Sequence, residues 1–208
     1  MILYFRLYLQ MKKIAKRLFC IRHGEGWHNV NFHLLGKKAY YEKEGMDPNL
    51  TEKGIKQAQD LGIQWKEKKD IELIITSPLT RCIETTKNIF GDTDIPIISV
   101  DFVREYPASL QYSNRRQNKK VLEEKYKNIN FLNLVGNEDI MWDSHNKYET
   151  LEQLNYRTKQ FERFVLKLEE KNIALVSHST FLMNFLFNMI DENEDKELKH
   201  CFVYNKEL

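Results

Sequence analysis

The chain has 208 residues, 42% of them hydrophobic and 30% charged, with a formal net charge of +2. Such a length fits one domain with a real core, and the apolar share excludes global disorder. So small a net charge leaves no nucleic-acid footprint. The three cysteines, Cys20, Cys82 and Cys201, are odd in number and far apart. They write neither a disulfide framework nor a CxxC zinc site, and they point to a reducing, cytoplasmic setting.

In chain order, residues 1–10, MILYFRLYLQ, are apolar but too short to span a bilayer, and they lack the basic start and small-residue cleavage site of a secretory signal. Met11 offers a second start, so residues 1–10 are read as a dispensable extension of a single domain covering 1–208. No later segment reads as transmembrane. Short apolar runs at 18–21, 73–75 and 173–176 have the continuity of strands buried on both faces, and 95–100 and 201–204 are further strand candidates. Between them, 51–68, 79–90, 150–169 and 180–190 read as helices, the last apolar nearly all round and therefore buried. The alternation predicts a three-layer α/β/α sandwich with a mostly parallel central sheet.

Three of these strands end in polar clusters: Arg22-His23-Gly24, Ser77-Pro78-Leu79-Thr80-Arg81 and Ser177-His178-Ser179. Ser77 is expected to cap a helix whose first residue is Pro78. Parallel strands share one C-terminal edge, where ligands bind, so Arg22, His23, Arg81 and His178 are expected to converge there with helix N-termini beside them. Two arginines and two histidines suit a doubly charged phosphoryl group. A neutral imidazole, His23 or His178, could attack phosphorus if one ring nitrogen is held by an acceptor. The departing oxygen then needs an acid. Glu105, in the VREYPAS segment after the 95–100 strand, is the leading candidate, ahead of Glu25 and Asp101.

Other chemistries fail on spacing. His23, His28 and His33 are five residues apart, which suits neither one helical face nor a zinc loop, and no metal or other cofactor is expected. No arginine stands six residues after any cysteine, as a cysteine phosphatase requires. GEGWHN has Asn29 where a dinucleotide fingerprint needs its third glycine.

Arg22-His23-Gly24-Glu25 with Asn29 resembles the RHGExxxN signature of the histidine phosphatase superfamily, the phosphoglycerate mutase-like proteins. The resemblance continues in order through DPNLTEKGIKQA (47–58), TSPLTRCIET (76–85), YETLEQLNYRTKQF (148–161) and LVSHS (175–179). It implies that His23 is the phosphorylated nucleophile, that Arg22, Arg81 and His178 bind the phosphoryl group with Asn29 nearby, and that Glu105 is the proton donor. Ser179 stands where the family usually has glycine, beside the phosphate, and is assigned with Asn29 to substrate binding, and the acid loop lacks its usual glycine. Arg116, just past that loop, is assigned to a second anionic group of the substrate. His28 and Trp27 are placed at the substrate mouth, His145 and His200 on the surface. The implied activity is metal-independent phosphomonoester hydrolysis of a small phosphorylated substrate, with no nucleic acid or membrane as partner. A phosphoglycerate mutase, or a phosphate-binding module without catalysis, is the alternative. Segments 30–46 and 105–137 are expected to wall the substrate.

Overall fold

The computed structural model describes residues 15–142, 148–190 and 197–208; the proposed extension 1–10 and His145 lie outside them. The strands are β1 (Arg17–Arg22), β2 (Leu73–Thr76), β3 (Ile97–Ser99), β4 (Asn172–Ser177) and β5 (Val203–Glu207), in the order β3-β2-β4-β1-β5. The first four run parallel, and β5 lies antiparallel along β1. Because β4 sits between β1 and β2, Arg22 pairs with Ser177 and Thr76 with Val176. The three polar clusters are therefore neighbours on one edge, as the apolar runs predict.

The helices are α1 (Trp27–Leu35), α2 (Glu52–Gln64), α3 (Thr80–Phe90), α4 (Lys119–Lys125), α5 (Leu151–Val165) and α6 (Ser179–Phe187). They cover both faces of the sheet. Phe19, Ile21, Ile74, Ala174 and Val176 pack on one side with Ala58 of α2 and Ile83 of α3. Leu18, Cys20, Ile75, Ile173 and Leu175 pack on the other with Phe161 of α5 and Phe181 of α6. The period-two alternation is present in runs that look uniformly apolar because both faces are covered. Each of the larger apolar side chains among them, fully buried, contributes about 1.5–3 kcal/mol. Among the described residues no helix is long and apolar enough to cross a membrane.

Two local readings are corrected. Helix α1 is absent from the sequence reading, because WHNVNFHLL alternates polar and apolar residues without a clear stripe; it begins at Gly26, whose N–H donates to the Asn29 side-chain oxygen at 3.0 Å. Helix α3 starts at Thr80, not Pro78, and no side chain of its own N-cap residue caps it. The cap comes instead from Asp47, whose carboxylate accepts from the Thr80 N–H at 2.8 Å and the Thr80 hydroxyl at 2.7 Å. Asp47 holds φ at 45°, in the left-handed region that aspartate tolerates better than most residues.

Burial pushes the Asp47 carboxyl up to about 6, against the opposing pull of its bonds to Thr80. A raised acid binds its proton more tightly folded than unfolded, so its contribution to stability falls as pH rises from its ordinary value towards 6, and then levels off. Comparing wild type with Asp47→Asn isolates this group. Denaturant titrations at pH 4 to 7 should show wild type losing about 2 kcal/mol relative to the variant across that range. A constant difference across that range would contradict the assignment.

Candidate active site

The nucleophile candidate rides at the C-terminal end of β1. His23 is 1% exposed, and its Nδ1 lies 2.7 Å from the Gly24 carbonyl oxygen. A carbonyl only accepts, so Nδ1 carries the proton and Nε2 keeps its lone pair. Burial, then the neighbouring Arg81 and His178, hold the ring well below the ordinary imidazole pKa. His23 is therefore a neutral imidazole at neutral pH, the form that attacks phosphorus.

The loop carrying it is locked by the second family-like segment. A Cβ on Gly54 would lie 2.0 Å from the Glu25 carbonyl oxygen, and one on Gly24 would lie 2.4 Å from the Gly54 oxygen. Two backbones thus touch where no side chain fits. Around that contact, the Gly24 N–H donates to Thr85 Oγ1 and the Glu25 N–H to Gln57 Oε1. Thr51 Oγ1 accepts from the Gly54 N–H at the start of α2. Gly54→Ala must push backbone against backbone, so it should cost about 1–3 kcal/mol by denaturation and lower turnover as well. Wild-type stability and activity in that variant would show the contact to be slack.

Around His23 stand the other converging groups. The rings of His178, His28 and His200 lie 5.1, 5.4 and 5.6 Å from it, centroid to centroid. His178 is fully buried at the start of α6, with Nε2 2.8 Å from Ser77 Oγ. Burial, with Arg81 as the largest charge effect, keeps His178 well below its ordinary pKa. Arg81 donates to the Ser113 carbonyl at 2.7 Å and to Asn114 Oδ1 at 2.9 Å. Arg22 donates to the Leu198 carbonyl at 2.6 Å and pairs with Glu197 at 2.7 Å. Yet Arg22 Nε, Arg81 Nε and His28 Nδ1 are all buried without a hydrogen-bond partner among the described residues. Buried polar groups are normally satisfied. Arg22, His28 and Arg81 share the cleft of about 320 Å³ that His23, Asn29 and Glu105 also line.

Glu105 sits half-buried in the loop after β3. Its Oε1 accepts from the N–H groups of Tyr106 at 2.8 Å and Phe181 at 3.2 Å. Burial raises its pKa despite those bonds. The loop is fixed by the segment resembling the family's glutamate-to-arginine helix. Arg157 forms a buried ion pair with Glu149, at 2.6 and 3.0 Å, and donates to the carbonyls of Phe102 and Arg104. Beside it, Arg104 makes a paired contact with Asp139 at 2.6 and 2.7 Å. The other carboxyl candidates are occupied elsewhere: Asp101 pairs with Arg116 at 3.2 Å, and Glu25 binds Thr51 and Lys53.

Four side-chain expectations are corrected. Arg116 does not reach the cleft, because its buried guanidinium donates to the carbonyls of residues 117 and 135–138 and to Asp101. Ser179 spends its Oγ on the Leu198 N–H at 2.9 Å, so it fixes the segment that carries Glu197. His200 is not a surface residue; its Nδ1–H donates to the His23 carbonyl at 2.6 Å, and burial lowers its pKa to about 4. Trp27 is 52% exposed and does not line the cleft. Sequence reasoning missed Glu197 altogether, since nothing local to it announces a partner at Arg22. Among the described residues no group of three or more His, Cys, Asp or Glu is placed to hold a metal ion.

Fold and site together define an α/β protein with a buried cationic pocket around a neutral histidine. The chain belongs to branch 1 of the histidine phosphatase superfamily, whose model matches residues 18–205. A phosphoglycerate mutase-like protein 1 of Arabidopsis thaliana is 28% identical over 218 residues, covering 88% of this chain and 76% of the relative. Among solved structures, an alpha-ribazole phosphatase of Shigella flexneri aligns with TM-score 0.60 at 19% identity, over 91% of this chain and 89% of that one. A phosphoserine phosphatase of Entamoeba histolytica, solved with 3-phosphoglyceric acid, aligns with TM-score 0.57 at 22% identity, over 91% and 89%. The expected family and fold are those found.

Proposed function

We propose that the chain is a metal-independent phosphomonoester hydrolase working through a phosphohistidine on His23. The observation that carries this reading is the set of unpartnered, buried Arg22 Nε, Arg81 Nε and His28 Nδ1 around a neutral His23. The two arginine Nε–H groups can only donate, and buried cationic donors of that kind suit an anion.

His23 Nε2 attacks phosphorus, and the bond to the ester oxygen breaks. Arg22 and Arg81 hold the equatorial oxygens while charge shifts among them, and His178, which does not line the cleft, keeps its Nε2 on Ser77 Oγ. Glu105, whose carboxyl burial biases towards the protonated form, gives its proton to the departing oxygen. The same carboxylate then takes a proton from water, which attacks the phosphohistidine. The P–N bond breaks, its electrons return to the imidazole, and inorganic phosphate leaves. Asn29 and His28 face the incoming ester from the cleft wall. The three free thiols fit a reducing, cytoplasmic setting.

The test is product analysis in the presence of a chelator, with an aryl phosphate and 3-phosphoglycerate as substrates. Hydrolysis yields inorganic phosphate from the aryl ester at a rate the chelator leaves unchanged. Conversion of 3-phosphoglycerate to its isomer without net phosphate would make the chain a mutase. Binding without turnover of either would make it a phosphate-binding module.

A further inference from the structure

The inner end of the cleft is cationic, but its outer half is built from tyrosines. Tyr40 and Tyr41 follow α1, Tyr106 follows Glu105, and Tyr148 precedes α5; all four line the cleft. The Tyr40 ring stacks on Phe32 at 5.3 Å with planes 9° apart, which fixes its orientation. The hydroxyls of Tyr41 and Tyr148 are hydrogen-bonded to each other, joining segments 107 residues apart in sequence. Both residues remain partly open to solvent, at 41% and 49% exposure. They therefore form a strap at the mouth and not a buried contact.

Resting on the hydrolase reading above, we propose that this Tyr41–Tyr148 bridge sets substrate size. It admits a small free phosphomonoester whose leaving group is about one flat ring, and it excludes a phosphorylated side chain still attached to a peptide. The cleft is about 320 Å³, at the low end of ligand sites, which run from about 300 to 1,000 Å³. The phosphoryl group takes part of that volume, and the remainder suits one ring walled by Tyr40, Tyr106 and Pro107. Aromatic side chains hold a flat partner by stacked or edge-on contact. A peptide must carry main chain past the mouth in two directions, across the line that the two hydroxyls close.

The bridge and the chemistry can be tested apart. Binding to the full chain carrying His23→Ala is measured by calorimetry, so no turnover is needed and failure of the hydrolase reading leaves this test intact. Phenyl phosphate should bind at least about tenfold more tightly than a phosphotyrosine hexapeptide. It should also bind about fivefold more tightly than cyclohexyl phosphate, which matches it in size but is not flat. Adding Tyr41→Phe and Tyr148→Phe keeps both rings and removes the bond. The peptide should then approach the affinity of phenyl phosphate to within about threefold, while binding of phenyl phosphate and inorganic phosphate stays unchanged. Equal binding of peptide and phenyl phosphate with the bridge intact would overturn the size limit. So would a difference that persists after the bridge is cut. Equal binding of the phenyl and cyclohexyl esters would overturn the flat-ring preference.

Discussion

His23→Ala is expected to lower kcat on any phosphomonoester by about 10⁴-fold or more, because the attacking atom itself is removed. The loss should fall on kcat and leave affinity for inorganic phosphate largely in place if Arg22 and Arg81 anchor the anion independently of the imidazole, as proposed. Two neighbouring groups are poorly placed to take over. His178 is turned to Ser77 and fully buried, and burial pushes the Cys82 thiol well above its ordinary pKa, so it is not a thiolate at neutral pH. Steady-state kinetics with an aryl phosphate checks this. Turnover within about tenfold of wild type would remove His23 from the nucleophile's role.

Glu105→Gln should separate the two half-reactions. The amide oxygen can still accept from the Tyr106 and Phe181 N–H groups, so the loop should keep its shape, but the side chain can no longer give or take the catalytic proton. With alkyl esters kcat should fall about 10²- to 10⁴-fold, the range general acid–base catalysis supplies. With a nitrophenyl ester, whose leaving group needs little help, one equivalent of nitrophenolate should appear quickly and then slow release follow as the phosphoenzyme waits for water to be activated. Wild-type activity on alkyl esters should decline as pH rises through the raised Glu105 pKa, because the protonated acid is lost. No decline from His23 should appear on the acid side until pH is well below the ordinary imidazole range, since its ring is held neutral by burial and by Arg81. A Gln variant that retains most of its alkyl-ester activity, with no burst, would move the acid elsewhere.

The central sheet was legible because β1, β2 and β4 are written as unbroken apolar runs, each ending in a polar cluster. Sequence alone thus brings Arg22, His23, Arg81 and His178 to one edge. What it does not carry are partners chosen at a distance. The cap of α3 comes from Asp47, 33 residues upstream, while the nearer Ser77 looks the better cap by its local pattern. Arg116 and Arg81 are both arginines near polar loops; only the fold shows that carbonyls of 135–138 consume the first, while the second keeps an unpartnered Nε. Ser179 likewise looks like a phosphate ligand until Leu198 is seen to take its hydroxyl. His200 follows no informative run, and it reaches His23 because β5 returns antiparallel along β1. Its role is a property of topology, which a single sequence does not spell out.

The claim on which everything else depends is that His23 Nε2 takes the phosphoryl group. Rapid quenching of the full chain with a radiolabelled phosphomonoester, followed by alkaline digestion and mass spectrometry, reads the position directly. The account predicts one acid-labile phosphoryl group per chain, on His23, and bonded to Nε2 because Nδ1 holds its proton against the Gly24 carbonyl. Label on His178, on a serine or on a cysteine, or product released with no labelled intermediate during a single turnover, would contradict it.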